Sequence, residues 1–147
     1  MARKELEAAS EYLGAEKTRE IGEIGQHEIE VVDRVAPAEA MALGIRAGAE
    51  PRALYDVITS AAGNSWMFEN RMKHVVDGDY TPTSAVDIFV KDLGLVTETG
   101  RALGFPLPLA STAFAMFQQA SNMGHGREDD SAVIKTFSGI TLPEGKA

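Results

Sequence analysis

Phe89-Val90-Lys91-Asp92-Leu93-Gly94-Leu95 sets a lysine and a glycine three residues apart in the middle of a strongly amphipathic pattern. Val86, Phe89, Leu93, Val96 and Leu103 step by three and four residues, the spacing of one helical face, so the stretch reads as a long helix with those residues in its core stripe. At about 100° per residue, Lys91 falls roughly 160° from both Phe89 and Leu93 and points away from that stripe. Gly94 lies one turn further along on the lysine's side. A glycine inside a helix costs about 1 kcal/mol relative to alanine, so its place beside an outward lysine marks a surface that another molecule approaches closely.

Outward from this helix the chain reads as all α. Before it, Ala38 to Ala47 forms an alanine-rich helix, and Pro51 opens another that carries Leu54, Val57, Ile58 and Ala61 on one face and stops at Gly63. Asn64 or Ser65 can cap a third helix, whose apolar contacts are Trp66, Met67, Met72, Val75 and Val76 and which ends at Asp77-Gly78-Asp79. Ser84 with Asp87 resembles a shortened capping box for the long helix. After the break Gly104-Phe105-Pro106-Leu107-Pro108, a helix runs from about Leu109 to Met123 with Phe114, Met116 and Phe117. Asp129, Asp130 or Ser131 starts a last helix through Phe137, and the tail from Gly139 reads as irregular. No repeat and no convincing strand is present from Pro37 onward, while Glu28 to Asp33 reads either as a short alternating strand or as a helical turn.

Residues 1–36 stand apart, with charges crowded between Met1 and Gln26, and we read them as an atypical segment preceding a helical domain over residues 37–147. The 147 residues are 44 % hydrophobic and 24 % charged, the composition of one globular domain. Cysteine is absent, which removes disulfides and thiolate metal sites and agrees with a reducing, cytoplasmic setting. No apolar run is long enough to span a membrane, and the amino terminus turns acidic where a signal peptide would become apolar, so no membrane association is expected. Fourteen basic against 22 acidic residues leave a formal charge of -8 with scattered cations, which argues against nucleic acid as a partner.

Chemistry-bearing motifs are sparse. His27, His74 and His125 lack any metal-ligand spacing, so no metal is expected. Gly124-His125-Gly126 follows a helix and leads into acidic residues, the wrong context for a pyrophosphate, so the chain alone holds no dinucleotide in the usual way. What remains is Lys91 with Gly94, and the segment Gly63-Asn64-Ser65-Trp66-Met67-Phe68-Glu69-Asn70-Arg71. Trp66 and Phe68 read as core or lid.

Those two segments carry a resemblance. The run Lys91-Asp92-Leu93-Gly94-Leu95 matches a hallmark of the β-hydroxyacid dehydrogenases, the group that includes 3-hydroxyisobutyrate dehydrogenase, and the region from Ala38 to Pro143 resembles their carboxy-terminal helical domain. Ala62 to Arg71, Asp129-Asp130-Ser131-Ala132 and Phe137-Ser138-Gly139-Ile140 are most similar to the L-threonate dehydrogenase branch, which acts on sugar acids. The resemblance implies a multi-helix domain like the carboxy-terminal domain of 6-phosphogluconate dehydrogenase. It also implies a Rossmann-domain partner, in trans or in a longer chain, that holds NAD or NADP, together with a small hydroxy acid as substrate and a homodimer. By the same resemblance Lys91 is the cofactor-contacting lysine with Gly94 keeping the approach open, and Asn64 and Ser65 lie near the substrate. An ammonium suits cofactor oxygens, and amide and hydroxyl groups suit a polyhydroxy acid. The plainer role for Lys91 is an Asp87 to Lys91 pair at i,i+4 on a solvated face.

The resemblance fails at one place. The family's catalytic lysine stands sixteen residues before the glutamate that corresponds to Glu39, with an asparagine four residues after that lysine; the matching positions here are Glu23 and His27. A carboxylate has the wrong charge to stabilise a developing alkoxide, so no catalytic residue is assigned and the chain alone is expected to be inactive. The competing reading is a non-enzymatic helical module for oligomerisation or partner binding.

Overall fold

The computed structural model describes residues 2–145 of the backbone and the side-chain surroundings of residues 14–145. Five α-helices follow one another: α1 (Ala2–Arg46), α2 (Pro51–Thr59), α3 (Trp66–Asp77), α4 (Val86–Leu103) and α5 (Pro108–Ala120). A π turn, Ser121–His125, and a 3₁₀ helix, Asp130–Thr136, complete the fold. Among the described residues, strand-like pairing is limited to an isolated antiparallel bridge between Ala85 and Asp129.

The helix expected from Ala38 is only the end of α1, which runs without a break through the segment set apart by composition. Glu28 to Asp33 is helical because its apolar spacing continues beyond it: Val31, Val35 and Ala38 step by four and three, Met41 and Ala42 lie three and four beyond Ala38, and all are buried. Pro37 sits inside this helix, where its fixed φ is tolerated but its missing N–H leaves the Asp33 carbonyl without the usual donor four residues on.

The bundle closes around α4 and α5. Phe89, Leu93 and Val96 are buried as expected, and the Phe89 and Phe117 rings lie 5.3 Å apart. Ala110, Ala113 and Ala120 supply the small buried residues that let α5 lie close. Leu103, expected in the stripe, is 72 % exposed, and Gly100 takes the inner place. The reason is the α4–α5 corner: a Cβ on Gly100 would stand 2.5 Å from Leu107 Cδ1 and 3.1 Å from the Phe105 carbonyl, so the corner itself fills the space.

The helix ends also separate expectation from outcome. Of the two cap candidates Ser65 caps α3, its Oγ accepting the Phe68 N–H at 3.0 Å, and Gly78 closes that helix at φ 65° where the sequence placed its end. The Ser84–Asp87 box does not form. Ala85 holds the cap position of α4 without a side-chain bond, and the first N–H groups, of Val86 and Asp87, donate to the carbonyls of Glu128 and Gly126. Phe68 joins the core, whereas Trp66 is 69 % exposed. Val57 likewise faces solvent, and α2 contributes half-buried Leu54, Tyr55 and Ile58. The α-helical pattern of α5 stops at Ala120, short of Met123, and widens into the π turn.

Candidate functional site

Lys91 projects from α4 with its side chain 71 % exposed. Its ammonium lies 3.3 Å from Asp92 Oδ1, while Asp87 accepts a hydrogen bond from Ser121 Oγ at 2.6 Å. The i,i+4 pair between Asp87 and Lys91 is therefore replaced by two other contacts. A Cβ placed on Gly94 would meet no atom within 4 Å, so the ground beside the lysine is open. Ile88 and Leu95, three residues before Lys91 and four after it, are 44 % and 53 % exposed on the same side. One cation set among uncovered aliphatic side chains is an arrangement suited to an anionic, partly apolar visitor.

Asn64 and Ser65 lie elsewhere. They belong to the loop before α3, where Asn64 Nδ2 donates to Glu69 Oε1 at 2.7 Å and Ser65 Oγ is occupied by its cap. Asn64 Oδ1 is buried without a donor. Ser65 lines a cavity between α1 and this loop, and no residue of α4 shares in it. The two predicted parts of the site are thus on separate patches of this domain. Glu23 is exposed on α1 and His27 half-buried, both before Val31, the first fully buried residue of α1 among those described.

Sequence reading missed a buried ionic junction. Asp130, fully buried, accepts from Arg34 Nε at 2.8 Å, and Arg71 Nε lies 3.1 Å from the same carboxylate. The Arg34 guanidinium also stacks 4.2 Å over the Phe89 ring, and Arg71 Nη1 donates to Asn70 Oδ1 and Thr83 Oγ1. Burial pushes the Asp130 carboxyl upward, and the two guanidiniums pull against that shift. Its neighbour Asp129 is held below the usual carboxylate range: burial opposes this, but Ser131 and Thr83 outweigh it with hydrogen bonds from backbone and hydroxyl. No sequence spacing signals the junction, because its partners are separated by 96 and 59 residues.

This all-helical domain, with its outward lysine at the family hallmark, matches over residues 28–137 the profile described as NAD-binding of NADP-dependent 3-hydroxyisobutyrate dehydrogenase. The chain belongs to that family, and the cofactor class is the one the resemblance implied, NAD or NADP. It is 74 % identical over 112 residues to L-threonate dehydrogenase of Escherichia coli, covering 76 % of this chain and 37 % of that protein. A 2-(hydroxymethyl)glutarate dehydrogenase of Eubacterium barkeri is 39 % identical over 105 residues, covering 71 % of this chain and 35 % of that protein. The crystal structure of 3-hydroxyisobutyrate dehydrogenase from Salmonella typhimurium superposes with a TM-score of 0.78 at 67 % identity, over 80 % of this chain and 41 % of that one. The chain therefore spans little more than a third of the length of the curated relatives it matches.

Proposed function

We propose that the helical domain, which the family profile matches from residue 28, acts as the helical half of an NAD(P)-dependent dehydrogenase for a small hydroxy acid of the L-threonate type, and that only the residues before it are a divergent lead-in. The supporting observation is the Lys91 face: an exposed ammonium, an open glycine and uncovered aliphatic side chains on one side of α4. A Rossmann domain, in trans or in a longer chain, covers this face, and Lys91 donates to an oxygen of the cofactor it brings. The cofactor supplies a hydride acceptor. Asn64 and Ser65 lie near the substrate, where amide and hydroxyl groups suit a polyhydroxy acid, and the assembly is a homodimer.

Glu23 and His27 occupy the places of the family's lysine and asparagine, and this chain contributes no group that takes up the alkoxide's charge. The test is to assay the chain with L-threonate and NAD or NADP, alone and with a separately expressed Rossmann half. Alone it should show no reduced cofactor. With the Rossmann half, cofactor binding should appear and weaken in Lys91→Met. Turnover by the chain alone would overturn the missing-lysine argument, and unchanged cofactor affinity in Lys91→Met would overturn the role of the face.

A second reading draws on the α4–α5 corner, where Leu103, Phe105 and Leu109 are 72 %, 63 % and 63 % exposed. Clustered apolar side chains of this size favour association, so a helical module that binds a partner without catalysis is the alternative. Sedimentation showing a stable monomer that ignores any Rossmann domain would count against it.

A further inference from the structure

We draw no further inference here: the strongest candidate, the apolar corner between α4 and α5 where Leu103, Phe105 and Leu109 stand exposed, carries nothing because nothing in the structure shows what covers it.

Discussion

Arg34 donates through Nε to Asp130 Oδ2 at 2.8 Å, joining the helix that begins the chain to the 3₁₀ helix that closes the fold. Both side chains are buried, and Arg71 of α3 and Phe89 of α4 touch the same junction. One buried junction thus ties together four elements that are distant in sequence. Arg34 stands in the stretch that composition sets apart, yet it is part of the domain's interior.

Replacing Arg34 with methionine removes one partner and leaves Asp130 with Arg71 alone. Breaking a buried pair in this way costs about 3–5 kcal/mol, and urea unfolding should show a shifted midpoint with an unchanged slope. The double variant Arg34→Met with Asp130→Asn should recover part of that loss. If the single variant unfolds at the wild-type midpoint, the junction carries no stability.

Tyr80 offers a pH test. Its hydroxyl is buried without a partner, and burial, with Glu128 adding to it, pushes its ionisation well above the ordinary tyrosine value. A raised folded value means that stability is fully present below the unfolded pKa, about 10, and falls as pH rises beyond it. Tyr80→Phe should remove that alkaline loss and, by deleting an unsatisfied buried hydroxyl, stabilise the domain by about 1 kcal/mol at neutral pH. The Lys135 ammonium, 3.8 Å over the ring, keeps its aromatic partner in this variant.

Asp129 works in the opposite sense. Its folded value is depressed against the pull of burial by the Ser131 and Thr83 hydrogen bonds, so its contribution is present above the ordinary aspartate value and is lost as pH falls through the folded value. Acid unfolding of Asp129→Asn should accordingly show a shallower pH dependence below about pH 4 than the parent chain.

The two glycines of α4 should answer alanine differently. Gly94→Ala meets open space and gains helix propensity, so thermal unfolding should show stabilisation of up to about 1 kcal/mol. Gly100→Ala places a methyl against the Phe105 carbonyl at 3.1 Å and should destabilise. In the assembly with a Rossmann half, Gly94→Ala should weaken cofactor binding despite its gain in stability.

Lys91→Met should leave the unfolding midpoint within error, because an exposed pair with Asp92 contributes little. In the assembled protein, loss of a charged hydrogen bond should weaken NAD or NADP binding by about 10- to 100-fold. Introducing Glu23→Lys with His27→Asn into a fusion to a Rossmann half should restore turnover that the parent fusion lacks, as monitored by reduced cofactor.

By itself the sequence determined what local periodicity and turn chemistry control. The all-α class, the order of helices from Pro51 onward, a cap at Asn64 or Ser65, the Gly78 stop and the outward Lys91 follow from apolar spacing and from residues whose backbone preferences are strong. The hallmark around Lys91 was likewise legible, because its residues are consecutive. Tertiary structure decided the rest. Whether Leu103 or Gly100 faced inward depended on a corner folding back onto α4, and Trp66 and Phe68, two residues apart, parted because a helix turns about 200° between them. The pairing of Arg34 and Arg71 with Asp130 has no local signature, since a buried charge finds its partner through packing of the whole chain.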